Sequence, residues 1–289
     1  MLDPNPLIRQ LISILAAHRE KSCAAQRKRG WALKDAVRRI TAEFGLQKLD
    51  NLGLKHVRFV IESWKAEDRG RRAIEEKLTY LRWLVAKIGK QNLIPRRNRD
   101  LGIEPGPRFT RAGHVVSEAK VLSVLARLKD PRLRAMIGLA RELGLRFEEA
   151  ALFRPHRDWE SDKVWVKRGT KGGRPRYLWI HSREQVAALE AARALTSGDG
   201  ALIPKEAPTF DKWRQSVYRV FRAAGLSKAQ DATFHDLRRN MAARRMEGLI
   251  RRGVDRFAAA KLVSKELGHN RVEILQWYVD FEALEGGDA

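Results

Sequence analysis

Thr233-Phe234-His235-Asp236-Leu237-Arg238-Arg239 and, further on, Leu267-Gly268-His269-Asn270 are the stretch around which this chain is organised, with Tyr278 nine positions past His269. His235 and Arg238 are three apart, so on a helix they share a face. Tyr278 falls in Val272–Val279, where Val272, Leu275 and Val279 have helical apolar spacing. Two histidines, an arginine and a tyrosine are thus arrayed over three short helices. That pattern suggests a phosphate clamp with a nucleophile beside it.

Working upstream, the pattern is mixed from residue 110. Val121, Leu122, Leu125 and Leu128 predict a helix that ends before Pro131. Leu133, Met136, Ile137, Ala140 and Leu143 predict the next, closed by Gly144, with Arg146 following at once. Val164-Trp165-Val166 and Tyr177-Leu178-Trp179-Ile180 flank a glycine turn, Arg168-Gly169-Thr170-Lys171-Gly172-Gly173, and so predict a hairpin with Lys171 at its tip. Helices around Val186–Leu195 and Trp213–Ala224 lead back to residue 233.

Residues 1–94 read as helices. Leu7, Ile8, Leu11, Ile12 and Leu15 follow Pro6 at helical spacing, and Leu33, Ala36, Val37 and Ile40 make a second stripe. Val57, Val60, Ile61 and Trp64 make a third; Ile74, Leu78, Leu81, Val85 and Ile88 make a fourth, stopped by Gly89. Residues 95–109 read as a basic linker, because Pro95, Gly102, Pro105, Gly106 and Pro107 break regular structure and Arg96, Arg97 and Arg99 add charge. The fold class expected is therefore mainly α with a small β-sheet, divided into a helical domain at 1–94, the linker, and a second domain at 110–289.

The charge decides the class of partner. Fifty-eight Lys and Arg against 35 Asp and Glu leave +23 on 289 residues. Such an excess repels itself unless a polyanion absorbs it, and nucleic acid is the usual absorber. A membrane surface is the poorer match, since arginine is spread along the whole chain rather than on one amphipathic anchor. Cys23 is the only cysteine, which rules out an internal disulfide and a Cys-rich zinc site, and it reads as a small buried hydrophobe. No run reaches the length of a membrane span, and the N-terminus lacks the order of a secretory signal. A cytoplasmic, nucleoid-associated protein is expected.

Taken together the motifs resemble the catalytic domain of the tyrosine recombinases, the phage-type integrases whose fold and chemistry are shared by type IB topoisomerases. Gly144-Leu145-Arg146-Phe147-Glu148-Glu149 resembles the first arginine box, with an acidic residue three after the arginine. Lys171 on a hairpin resembles the family lysine. His235-Asp236-Leu237-Arg238 and Leu267-Gly268-His269 resemble the two histidine boxes, and Tyr278 lies at the offset of the nucleophile. Tyr80, in the N-terminal helices, and Tyr177, in a strand, do not match that offset. Residues 1–94 resemble the core-binding domain that closes over DNA.

The resemblance implies a tyrosine hydroxyl attacking a DNA phosphodiester, with Arg146, Lys171, His235, Arg238, His269 and Tyr278 catalytic and Glu149 holding Arg146. Only roughly 0.1% of a tyrosine with pKa near 10 is phenolate at neutral pH, so a proton acceptor and charge stabilisation are both needed. Guanidinium forks suit the phosphate, and a histidine suits the proton. Neither metal nor other cofactor is required, because arginines supply the charge, and resealing needs no ATP. Arg96, Arg97, Arg99, Arg174 and Arg239 are expected DNA contacts. The partners implied are double-stranded DNA with specific sites, three further copies of the chain on synapsed DNA, and DNA-bending accessory proteins.

Three departures from the family pattern stand out. The interval from Arg238 to His269 is long, with extra residues around Gly248–Arg256. Phe234 replaces a common proline, and the segment after Tyr278 is short for a docking helix. Two rival readings remain open at this point. A DNA-binding protein without chemistry is suggested by the charge and by Gly172-Gly173-Arg174-Pro175-Arg176, which resembles an AT-hook core. A metal-dependent nuclease would use Glu148, Glu149 and Asp158, although adjacent carboxylates on a helix point about 100° apart.

Overall fold

The computed structural model describes residues 5–19, 23–106, 114–207 and 209–269. Tyr278 and the rest of 270–289 lie outside the described residues. The chain divides into two compact units, Met1–Arg108 and Phe109–Ala289.

The first unit is built from α1 (Pro6–Ala17), α2 (Cys23–Phe44), α3 (Leu54–Ala66) and α4 (Arg71–Lys87). Asn5 caps α1 by accepting from the Leu7 and Ile8 amides, with Pro6 at the first position, where no N–H is needed. The four apolar stripes meet in one core, with Leu11, Leu33, Val60, Trp64, Leu78 and Val85 all fully buried. Ile12 stays 43% exposed, while Leu7, Ile8 and Leu11 are buried and Ile14 and Leu15 pack partly against the core. A single carboxylate ties three helices. Asp35 on α2 accepts from Trp64 Nε1 of α3 at 2.8 Å, from Lys77 Nζ of α4 at 2.9 Å and from Arg39 at 3.0 Å. The segment read as a linker is anchored over much of its described length. Asn98–Leu101 form a 3-10 turn, and Leu101 and Ile103 pack into this core. Cys23, expected inside, is exposed at the first turn of α2.

The second unit contains α5 (Glu118–Arg127), α6 (Pro131–Leu143), α7 (Phe147–Ala151) and α8 (Pro155–Asp158), then the strands β1 (Trp159–Glu160), β2 (Lys163–Val166) and β3 (Arg176–Trp179), then α9 (Arg183–Arg193), α10 (Phe210–Ala224), α11 (Phe234–Ile250) and α12 (Arg256–Glu266). The fold class is the expected one, helical with a small sheet. Helix α6 lies at the centre and packs against both α9 and α11. The sheet is antiparallel in the order β1-β2-β3, with Val164 opposite Leu178 and Trp165 opposite Tyr177. Strand alternation sends Val164, Val166 and Leu178 into the core and stacks Trp165 on Tyr177 outside. The two-residue strand β1 has no signal of its own in the sequence.

Phe234 explains its own departure from proline. It is buried, stacks on Phe221 at 5.7 Å and meets Phe147 edge-on at 5.5 Å. The extra residues at Gly248–Arg256 are the end of α11, a tight turn and the start of α12. Asp255 caps α12, and Leu249 and Val254 pack in the small core that α11 and α12 share.

Candidate active site

The site begins where α6 stops. Gly144 ends α6, and Arg146 is the N-cap of α7. Glu149, at the third position of α7, reaches back to it. Its Oε2 accepts from the Arg146 amide at 2.8 Å, and its Oε1 accepts from Arg146 Nη1 at 2.7 Å. Glu149 is buried, yet it carries its charge. Burial pushes its pKa up, but hydrogen bonds from Arg176 and the charges of Arg176, Arg238 and Arg146 outweigh this and hold it down at about 2.

Arg238 lies one turn into α11 and is fully buried. Thr233 and Asp236 form a reciprocal cap that fixes the start of that helix: Asp236 Oδ2 accepts from the Thr233 amide at 2.8 Å. From there Arg238 spans two loops, with Nη1 donating to the Gly144 carbonyl and Nη2 to the Leu267 carbonyl. Nη2 also lies 3.5 Å from His269 Nε2, and Nη1 lies 3.6 Å from Glu149 Oε2. In the fold Arg238 forms the floor of the site, whereas Arg146 keeps part of its side chain open to solvent.

His269 follows α12 through Gly268, and its amide caps the helix by donating to the Ser264 carbonyl at 2.9 Å. Gly268 has φ +69°, and a Cβ there would lie 2.9 Å from Arg176 Cδ, so only glycine leaves room for that side chain. Burial, then the charges of Arg238, Arg146, Arg176 and Lys171, lower the pKa of His269 to about 3. His235 is exposed on the first turn of α11. Burial of its inner edge, followed by the charges of Arg238, Arg239 and Arg146, lowers it to about 4. Both imidazoles are neutral at pH 7, so each can accept a proton or donate one hydrogen bond.

Lys171 sits on the turn between β2 and β3, and its charge reaches His269. That turn is docked on α7. Gly169, at φ +66°, lies so close that a Cβ would meet the Glu148 backbone at 2.6 Å. Arg168 holds the base of the turn by donating to both oxygens of Asp158, at 2.9 and 2.7 Å. Lys167 and Lys163 are committed elsewhere, to Asp158 and Glu160.

The structure thus brings Arg146, Glu149, Arg238 and His269 into contact and places His235 and Lys171 within electrostatic reach of them. Of the expected DNA contacts, Arg96, Arg97, Arg99 and Arg174 are exposed. Arg239 is half-buried, and its Nη1 pairs with Asp236. Arg176 was missed. Its guanidinium makes two bonds to Glu149, at 2.8 and 2.9 Å, so the AT-hook-like run is not free to enter a groove. The available signal was alternation: Arg176 shares the inward face of β3 with Leu178. The nuclease reading also loses its ligands, since Glu149 is paired with guanidinium groups and Asp158 with Arg168 and Lys167. Among the described residues no group of three or more His, Cys, Asp or Glu could hold a metal ion. No helix among them is long and apolar enough to cross a membrane.

Residues 110–244 match the integrase family. No curated protein matches the chain in sequence. Among solved structures, a lambda integrase dimer bound to a COC′ core site is similar at a TM-score of 0.68 and 18% identity, over 98% of this chain and 77% of that one. The XerH site-specific recombinase bound to a palindromic difH substrate follows at 0.65 and 18%, over 96% and 83%. The Tn1549 transposon integrase in complex with transposon right end DNA is similar at 0.62 and 14%, over 96% and 97%.

Proposed function

We propose that this chain, whose residues 110–244 match the integrase family, is a site-specific tyrosine recombinase that cuts and rejoins DNA for the integration or excision of a mobile element. One observation carries the reading: Arg146, Arg238 and His269 meet around the buried Glu149, with His235 and Lys171 beside them. Three guanidinium groups share one carboxylate, which leaves a net positive site suited to a phosphodiester.

In this reading Tyr278 attacks phosphorus. The new bond joins the tyrosine oxygen to phosphorus, and the bond to the 5′-oxygen breaks. His235, neutral at pH 7, takes the phenolic proton. Lys171 gives a proton to the departing 5′-oxygen. Arg146 and His269 hold the non-bridging oxygens, and Arg238 supplies positive charge from the floor. The product is a 3′-phosphotyrosine and a 5′-hydroxyl, and the reverse attack reseals the strand. Neither a metal nor ATP enters the balance. Residues 1–94 would serve as the core-binding domain, with Arg96, Arg97, Arg99, Arg174 and Arg239 on DNA, and four copies would act on synapsed sites.

The test starts with a footprint on the DNA that flanks the gene. A duplex carrying that site, nicked near the cleavage point, should trap a covalent protein–DNA adduct. Equal adduct from Tyr278→Phe would sink the assignment. A footprint on a chromosomal site alone would favour a chromosome-dimer resolvase over a mobile-element integrase. Salt-sensitive binding without any adduct would leave a non-catalytic DNA-binding protein.

A further inference from the structure

Arg176 takes no part in the steps above, yet all three of its donor nitrogens are committed within the site. Its side chain is 8% exposed. Nη1 and Nη2 donate to the two oxygens of Glu149, and Nε donates to the Glu266 carbonyl at 2.7 Å. That carbonyl belongs to the last residue of α12, where the helix end is partly negative. Gly268 leaves space for the Arg176 side chain at the residue just before His269.

We propose that Arg176 is a positioning residue of the strand-exchange site: it fixes Glu149, and through it Arg146, and it locks the backbone of residues 266–268 that presents His269. The inference rests on the recombinase reading for its chemistry and on the geometry alone for its contacts. Three elements meet at this one side chain. Helix α7 contributes Glu149, α12 contributes its terminal carbonyl, and β3 contributes the arginine itself, five residues past Lys171. A planar fork is suited to this, because it satisfies two carboxylate oxygens at once and keeps a third donor for a carbonyl. Lysine retains the charge but cannot make the three bonds. Arg146 and Arg238 also touch Glu149, but Arg146 must meet substrate and Arg238 is engaged on Gly144 and Leu267. Arg176 is therefore the group whose function is to keep the carboxylate charged and still. Without it, burial would move the Glu149 pKa upward.

The experiment uses the full chain as wild type, Arg176→Gln, Arg176→Lys, Glu149→Gln and the Arg176→Gln/Glu149→Gln double variant. The probe is the nicked duplex carrying the footprinted site, and binding and adduct formation are measured separately. Both Arg176 variants should bind DNA within about threefold of wild type while forming adduct roughly 10- to 100-fold more slowly. The double variant should be no slower than its slower single parent, because both substitutions break one unit. Arg176→Gln should also lose rate as pH falls toward mildly acidic values, where its Glu149 becomes protonated. That limb should be missing from wild type and from the double variant.

A folded Arg176→Gln with wild-type rate, or a double variant whose losses multiply, overturns the proposal. If Arg176→Gln does not fold, Arg176→Lys decides by the same rate and binding measurements. If wild type itself forms no adduct, the recombinase reading fails. The positioning role is then decided by carbon-13 NMR titration of the Glu149 carboxyl in Arg176→Lys. An upward move of the titration supports the coupling, and an unmoved titration removes it.

Discussion

Glu149 is buried among guanidinium groups, so its loss leaves positive charges facing one another without their shared counter-ion. Breaking a buried charge cluster in this way costs about 3–5 kcal/mol. Glu149→Ala should therefore lower the unfolding free energy obtained from urea titration by an amount in that range, and a change below about 1 kcal/mol would contradict the placement. The pH dependence follows from the same groups. His235 and His269 titrate near 6.5 when unfolded but near 4 and 3 when folded, so the unfolded chain binds more protons in the interval. Stability should fall as pH drops below about 6.5, and His269→Gln should make that fall shallower. Glu149, lowered from 4.5 to about 2, adds its own loss at the acid end of the same range. Urea midpoints across pH 7 to 4 would check the histidine part. An equal slope in wild type and His269→Gln would exclude a half-buried neutral imidazole at 269.

At the scale of elements, the turn bearing Lys171 is placed by contact with α7. Gly169→Ala would drive a Cβ into the Glu148 backbone at a positive φ, so the turn must lift away. The expected result is adduct formation roughly 10- to 100-fold slower, with DNA binding nearly unchanged. Adduct kinetics on the nicked duplex would check it, and a wild-type rate would show that the turn need not dock. The helices were legible because their apolar residues recur at three and four, and each stripe found a core to enter. The hairpin was legible through its glycines and its Val, Trp and Tyr. Other features were not. Strand β1 is too short to carry a period. Leu101 and Ile103 were hidden by the prolines and arginines around them, which mark a break in local structure but not a break in packing. Arg176 was masked by its neighbours Arg174 and Pro175, which invited a reading by composition rather than by strand face. The motif singles out Arg238 but not its depth, because burial of a charge depends on carbonyls 29 and 94 positions away in sequence.

At the scale of the molecule, Met1–Arg108 and Phe109–Ala289 each enclose an apolar core of their own. A fragment of residues 1–108 should thus fold alone and give one cooperative thermal transition by circular dichroism. A gradual, sloping melt would show that its core is completed elsewhere. Asp35, which joins α2, α3 and α4 through Trp64, Lys77 and Arg39, gives that fragment a polar tie as well as an apolar one. Cores that close separately also make the halves heritable apart. A chimera could take its first hundred residues from a distant cousin and keep its chemistry, and a lineage could shuffle one half while the other stayed under selection.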